Sequence, residues 1–176
     1  MRSTRALLFA AAALLAATVA GANTSKVEFH KSKRSATSEA SVELRGTPEQ
    51  IYTAITNYRE WPALLTDVEW VKVKSGGRQD AEVRFASRSM GHEVTLKFAN
   101  ETNRVVRFRL TDGPHGAAAA GDYRLVPVSD TITRVDGTLY MDVTGAAGWF
   151  VTDNKIRKMR EGKLRRDLED LTKRFR

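Results

Sequence analysis

The sequence predicts an α+β fold in which a curved antiparallel sheet of about six to seven strands wraps around a long C-terminal helix. Two observations support this prediction. Between residues 68 and 141, apolar side chains recur with a period of two, which is typical of strands with one covered face. Between residues 149 and 175 they recur mostly every three to five residues, the spacing of an amphipathic helix. Such a helix must bury its apolar stripe, and the concave face of the sheet offers the matching surface.

The first 22 residues are predicted to be a signal peptide rather than part of the fold. Arg2 and Arg5 form a basic segment, and residues 6–20 are an apolar run that is short for a bilayer span. Ala20-Gly21-Ala22 fits the small-residue cleavage pattern, so the mature chain would begin at Asn23. An uncleaved anchor is the alternative. The Ala-rich signal favours export across an inner membrane into a periplasm, where a chain without cysteine depends on its core alone.

The chain after this site is predicted to form one domain. Residues 23–35 are polar and form either a leader or a loose edge strand, because Val27 and Phe29 alternate with polar residues. No repeat or Pro-rich linker divides residues 36–176, and their number suits a single ligand-binding domain with a sizeable core.

The domain is predicted to begin with a strand and two short helices. Residues 40–44 alternate as a first core strand. Thr47 is a natural N-cap for the first helix, Pro48 suits its first position, and Gln50 falls at its third. The second short helix carries Trp61-Pro62, and a new strand starts near Val68.

Five further strands follow at the spacing of hairpins. Turn residues separate the runs at Ser75-Gly76-Gly77, at 100–103, at Asp112-Gly113-Pro114 and at Ser129-Asp130. The residues predicted to face inward are, in chain order, Val83 and Phe85; Val94, Leu96 and Phe98; Val106, Phe108 and Leu110; Tyr123 and Leu125; and Val135, Gly137, Leu139 and Met141.

This order of elements resembles that of the START/SRPBCC superfamily, whose helix-grip fold is shared with Bet v 1-like proteins. The resemblance covers roughly residues 36–172. Two segments, Thr47-Pro48-Glu49-Gln50-Ile51-Tyr52 and Asn57-Tyr58-Arg59-Glu60-Trp61-Pro62 followed by Leu65, are similar to the coenzyme Q-binding and polyketide-cyclase-like branch. Asp112-Gly113-Pro114 followed by Gly121-Asp122-Tyr123 resembles a further segment of that branch, with Tyr in place of the usual Trp. The resemblance implies a cavity for an apolar ligand, although the superfamily also includes enzymes.

The inward face therefore supplies the candidate ligand-binding residues. A mostly apolar cavity with one or two polar groups suits a phospholipid, a fatty acid, an isoprenoid quinone or a sterol-like molecule. The alternative is a closed core in which the same side chains fill all the space. Tyr123 is the expected polar anchor. The candidates are Phe85, Leu96, Phe98, Phe108, Tyr123, Leu139, Met141, Trp149, Phe150, Ile156 and Met159.

The positive charge of the chain is concentrated at its C-terminal end. Residues 155–176 contain ten basic and four acidic residues, whereas the whole chain has a net charge of +8. Lys155, Lys158, Arg165 and Arg166 are candidate contacts to an anionic membrane surface, to which each basic residue contributes about 1 kcal/mol. A solvated outer helix face is the alternative. Nucleic acid is not an expected partner, because no aromatic residues interleave with these charges.

Catalytic chemistry has less support in the sequence, which predicts no catalytic residue, metal ligand or cofactor. His30, His92 and His115 lack partners at metal-ligand spacing. Ser87 and Ser89 can orient a ligand head group or merely solvate a strand end. A polyketide cyclase or aromatase would need an inward group to move a proton, and Tyr123 is the obvious candidate. A third alternative is a non-catalytic interaction module with a filled core.

A long loop is predicted over residues 113–121, because Ala117–Ala120 have little to hold them. Near a cavity mouth such a loop would act as a gate, and otherwise it is an ordinary hairpin connection. Taken together, the sequence predicts an exported protein that binds or transports a hydrophobic small molecule between its sheet and its C-terminal helix.

Overall fold

The computed structural model describes residues 25–30, 36–143 and 152–176. Eight antiparallel strands form one curved, unclosed sheet in the order β1-β2-β8-β7-β6-β5-β4-β3. The strands are β1 (Glu28–His30), β2 (Thr37–Arg45), β3 (Val68–Gly76), β4 (Asp80–Ser87), β5 (His92–Ala99), β6 (Val105–Asp112), β7 (Ala117–Ser129) and β8 (Ile132–Val143).

Three α-helices accompany this sheet in the described residues: α1 (Pro48–Thr56), α2 (Trp61–Leu64) and α3 (Asp153–Arg174), with a 3-10 turn (Tyr58–Glu60) before α2. The predicted helix-grip fold is therefore confirmed. The additional strand is β1, which lies in the segment predicted to be a leader or an edge strand and pairs with β2. None of the described helices has an apolar stretch long enough to span a bilayer.

The start of α1 is fixed by its own side chains. The Thr47 hydroxyl accepts a hydrogen bond from the Gln50 amide at 3.3 Å, and the Gln50 side chain accepts one from the Thr47 amide at 2.9 Å. This reciprocal pair satisfies two amides that a helix start leaves without partners, and Pro48 lacks one such amide. The predicted capping residues are thus confirmed. The helix then buries Ile51 and Ile55 against the sheet.

The short helices close one end of the sheet through aromatic packing. The Trp61 indole donates to the Ile55 carbonyl at 2.8 Å, and its ring lies edge-on to Phe85 and Phe98, each at 5.6 Å between centroids. Tyr58 packs beside it, and burial raises the pKa of this phenol to about 12 even though Asn100 donates to its oxygen. An indole with its N–H satisfied and its ring buried is a stable anchor.

Helix α3 lies against the sheet at a position where β8 has no side chain. Gly137 faces the helix, and a Cβ there would lie 2.8 Å from Leu164 Cδ1. The Leu164 and Leu168 side chains are buried against this part of the sheet. Glycine therefore allows the helix to approach the sheet closely.

The predicted loop over residues 113–121 is wrong in extent. Strand β7 already begins at Ala117, and residues 117–120 pair with Val143 through Tyr140 on β8. The connection is four residues long, from Gly113 to Gly116, and Gly116 has a φ of +76° that favours glycine. Hydrogen bonding to the neighbouring strand outweighs the weak strand propensity of alanine, so the long gate does not exist.

Candidate functional site

A cavity of about 400 Å³ lies between the sheet and α3. This volume falls within the range of about 300–1,000 Å³ that is usual for small-molecule sites. Inward side chains of β4 to β8 form one wall, and Met159, Lys163, Asp167 and Leu171 of α3 form the other. The interior is therefore not completely filled by the side chains of the described residues.

The structure places eight of the eleven predicted ligand-binding residues on the cavity wall. They are Phe85, Leu96, Phe98, Phe108, Tyr123, Leu139, Met141 and Met159. Ile156, also predicted as a wall residue, is buried and is not among the residues that line the cavity. Trp149 and Phe150 lie outside the described residues.

The cavity exists because small residues occupy inward positions beside large ones. On β7, Gly121 pairs with Leu139 and Ala119 pairs with Met141. A Cβ at Gly121 would lie 2.7 Å from Cζ of Phe108, so the Phe108 ring occupies the space above this glycine. Farther along the strand, Ala119 leaves volume that no side chain of the described residues fills. A void of this kind costs dispersion contacts unless something else occupies it.

Aromatic rings form a continuous row along one side of the cavity. The ring centroids are 5.6 Å apart between Trp61 and Phe98, 6.1 Å between Phe98 and Phe108, and 5.9 Å between Phe108 and Tyr123. All four side chains line the cavity. Their polarizable faces give an apolar ligand a rigid contact surface.

The row ends at a polar group formed by Tyr123, Lys163 and Asp167, of which the sequence analysis identified only Tyr123. The Tyr123 hydroxyl donates to Asp167 Oδ2 at 2.8 Å, and Lys163 Nζ lies 2.6 and 2.7 Å from the two Asp167 oxygens. Burial, together with the adjacent Asp167 carboxylate, raises the pKa of Tyr123 well above its ordinary value. The phenol is therefore neutral, and its O–H group is already engaged in a hydrogen bond to Asp167. Tyr123 was the predicted anchor, whereas Lys163 and Asp167 were missed.

A second carboxylate lies behind this group. Asp67 accepts from the Ser87 hydroxyl and from the Ser89 amide, each at 2.9 Å, and lies 3.9 Å from Lys163 Nζ. Burial alone would raise the pKa of Asp67, but the hydrogen bonds from Ser89 and Ser87 and the charge of Lys163 outweigh it and hold the pKa below its usual value. Ser87 thus supports Asp67 rather than solvating a strand end, while Ser89 also lines the cavity.

The exposed lining residues mark where the cavity opens to solvent. His92, His115 and Met159 all line it and are exposed, with 42% of Met159 accessible. His30 lies elsewhere and bonds to the Ser41 hydroxyl at 2.7 Å. No group of three or more His, Asp or Glu in the described ranges is arranged to hold a metal ion.

The four predicted membrane-contact residues have different environments. Lys155 and Lys158 are exposed on the first turns of α3. The Arg165 guanidinium lies 4.7 Å from the ring centroid of Phe29 on β1. Arg166 is half-buried and donates to the Ser89 hydroxyl at 3.0 Å. Two of the four therefore stabilise the fold through specific contacts.

The chain is similar to known proteins along most of its length. The sequence profile of the family described as polyketide cyclase / dehydrase and lipid transport matches residues 35–176. No curated protein sequence matches significantly. The match begins where β2 is about to start and covers every cavity-lining residue in the described part of the chain.

Solved structures share the fold at low sequence identity. A START superfamily protein from Mycobacterium smegmatis has a TM-score of 0.70 and 16% identity over 79% of this chain and 96% of its own. The Zhui aromatase/cyclase from Streptomyces sp. R1128 has a TM-score of 0.67 and 16% identity over 78% and 92% of the two chains. The protein XoxI from Bacillus cereus has a TM-score of 0.65 and 18% identity over 80% and 95%. At these identities the likeness establishes the fold alone.

Proposed function

The chain belongs to the polyketide cyclase / dehydrase and lipid transport family, and we propose that it is an exported protein that binds a hydrophobic small molecule and carries or sequesters it near a membrane. The single observation that carries this proposal is the apolar cavity of about 400 Å³ between the sheet and α3. Each methylene that moves from water into such a cavity contributes about 0.8 kcal/mol, so one acyl or prenyl chain supplies enough affinity.

Export and membrane contact are supported by different parts of the chain. Export is inferred from the signal-peptide pattern of residues 1–22, which lie outside the described residues. We infer a periplasmic location from the Ala-rich composition of the same segment. Membrane contact is inferred from Lys155 and Lys158, which are exposed on the same helix as Met159 at the open side of the cavity. Weak electrostatic attraction at that side would allow a carrier to load and release its ligand.

A second candidate function is that of a polyketide cyclase-like enzyme. The observation that favours it is the polar group on the cavity wall, because Tyr123, Asp167 and Lys163 are joined by short hydrogen bonds. A cyclase needs such groups to polarise a carbonyl or to move a proton. In this protein, however, the Tyr123 hydroxyl already donates a hydrogen bond to Asp167. Tyr123 would have to break this bond before it could donate to a substrate.

The proposal is tested by filling the cavity with a side chain. Ala119 faces inward on β7, whereas its neighbour Ala120 does not line the cavity. Ala119→Phe should therefore weaken binding of the neutral fluorescent probe N-phenyl-1-naphthylamine at least about tenfold, because it occupies the ligand volume. The matched control Ala120→Phe adds the same ring to the same strand and should leave the affinity unchanged.

The binding proposal fails if the wild-type protein does not bind the probe, or if Ala119→Phe binds it as tightly as Ala120→Phe with both variants folded. Native mass spectrometry of the protein purified from an exporting host shows whether a ligand is bound. Organic extraction of the same sample then identifies the class of that ligand. Turnover of a poly-β-keto substrate analogue, with loss of water, would instead favour the cyclase.

A further inference from the structure

The polar group on the cavity wall, taken together with Asp67 behind it, contains two carboxylates and one ammonium. Lys163 Nζ lies between Asp167, at 2.6 Å, and Asp67, at 3.9 Å. The side chains of these two carboxylates are only 9% and 2% exposed. Arg166 is the other nearby cation, but it bonds to the Ser89 hydroxyl and does not line the cavity. A molecule inside the cavity therefore meets an ammonium whose charge is already balanced.

This balance matters because a charged head group that lies beside Lys163, rather than at the open side of the cavity, has to lose most of its water. A buried carboxylate or phosphate is tolerated only with a cation that compensates the lost hydration. Among the described cavity-lining residues Lys163 is the one Lys or Arg, and Asp167 accepts from it through both oxygens. An anionic head group would thus face the Asp167 carboxylate at close range and be repelled.

An uncharged oxygen has a suitable partner at the same place. An ammonium has three N–H donors, and the bonds to the two Asp167 oxygens use two of them. Lys163 lines the cavity, and Asp67, at 3.9 Å from Nζ, lies beyond hydrogen-bond distance, so the third donor can be offered to a ligand. A hydroxyl or carbonyl oxygen accepts from it without bringing a charge into the apolar interior.

We infer that the ligand of this cavity is an amphipathic molecule with an uncharged hydroxyl or carbonyl at its polar end, which Lys163 of the Asp67–Lys163–Asp167 group binds, and not a fatty acid or a phospholipid. The inference rests on the proposed function, because it requires that the cavity binds a ligand. It narrows the range of ligands to long-chain alcohols, ketones, quinone-like and sterol-like molecules.

The inference is tested with three ligands that share one chain and differ in the head group. Displacement of N-phenyl-1-naphthylamine from the wild-type protein by dodecanol, by methyl dodecanoate and by dodecanoate is measured at pH 8, where a carboxylic acid is ionised. The alcohol and the ester should bind at least about tenfold more tightly than the acid, because the acid alone must bury an uncompensated charge. This comparison needs no variant, so it does not depend on the folding of one.

Two variants then test whether Asp167 causes the preference for the uncharged ligands over the acid. Asp167→Asn removes the nearer of the two carboxylates beside Lys163, the one that lines the cavity, so the acid should gain at least about tenfold relative to the alcohol. Asp170→Asn is the matched control. Asp170 is also a buried carboxylate of α3 with a Lys partner, but it does not line the cavity. Its variant should keep the wild-type preference.

The outcomes separate the two proposals. Equal binding of dodecanol and dodecanoate by the wild-type protein overturns the inference and leaves the binding function intact. An unchanged preference in folded Asp167→Asn, or the same shift in Asp170→Asn, also overturns it. Failure of the wild-type protein to bind the probe and all three ligands refutes the proposed function, and the inference with it.

Discussion

Two rows of side chains on α3 face the same sheet, but one row packs against it and the other lines the cavity. The packed row (Ile156, Arg160, Leu164 and Leu168) is completely buried, at 6%, 3%, 1% and 0% exposure. The cavity row (Met159, Lys163, Asp167 and Leu171) lines the open volume and begins with the exposed Met159. Each row follows the four-residue spacing of one helix face. One helix thus separates the side chains that pack against the sheet from those that face the cavity.

The two rows also explain why Ile156 does not line the cavity. From the sequence, all the apolar residues of the C-terminal segment were predicted to form a single stripe that faces the cavity. In the structure Ile156 precedes Arg160 and Leu164 by whole helical turns and therefore belongs to the packed row. Even the charged member of this row is satisfied, because Arg160 donates to the Ser38 hydroxyl at 3.2 Å and to the Met141 carbonyl at 3.3 Å.

The largest expected effect is a loss of stability when a side chain of the packed row is shortened. Leu168→Ala removes a fully buried side chain from the packed row and should lower the free energy of unfolding by about 2–5 kcal/mol. Met159→Ala, in the cavity row, should lower it by less than about 1 kcal/mol because this side chain is 42% exposed. Urea unfolding measures both values. Equal losses would mean that the exposed Met159 contributes as much to stability as a fully buried residue of the packed row.

An intermediate effect is expected at a carboxylate outside both rows. Asp170 accepts from the Thr66 amide at 2.7 Å, from the Thr66 hydroxyl at 2.8 Å and from Lys173 at 2.7 Å. These contacts tie α3 to the segment before β3. Asp170→Asn should therefore cost about 1–3 kcal/mol of stability at pH 7, as measured by urea unfolding.

The pH dependence of this loss follows from the shifted pKa. Burial would raise the pKa of Asp170, but the bonds from Lys173 and Thr66 outweigh it, so the folded pKa lies below the unfolded one. The stabilisation is then complete above the unfolded value of about 3.9 and disappears as the pH falls through the folded pKa. The difference between wild type and Asp170→Asn should shrink as the pH falls below about 4. A difference that is constant from pH 7 to pH 3 would contradict this explanation.

The periodic pattern of the chain, together with the family resemblance, was sufficient to predict the fold and eight residues of the cavity wall. Alternation placed Phe85, Phe98 and Phe108 on the inner face, and local chemistry at Thr47 predicted the start of α1. These features depend on neighbours in sequence, which the sequence displays directly.

The polar group could not be predicted in the same way. Lys163 and Asp167 look like an ordinary surface pair four residues apart, and only the rotation of α3 against the sheet turns them inward. Asp67 precedes β3 and reaches Lys163 through the tertiary fold. The alanines of β7 were misassigned for a related reason, because pairing with β8 rather than their own propensity makes them a strand.

The smallest expected effect concerns the open end of α3. If the exposed lysines beside Met159 attract an anionic membrane, Lys158→Gln should weaken binding to phosphatidylglycerol-containing vesicles about fivefold at low salt, since one such charge contributes about 1 kcal/mol. Arg174→Gln removes a charge from the exposed C-terminal end of the same helix and is the control. Vesicle co-sedimentation measures both. Membrane contact at the cavity opening predicts that the first variant loses more than the second and that added salt removes the difference. Equal losses would instead mean that the attraction is spread over the whole basic segment, and a carrier would then have no preferred orientation for releasing its ligand.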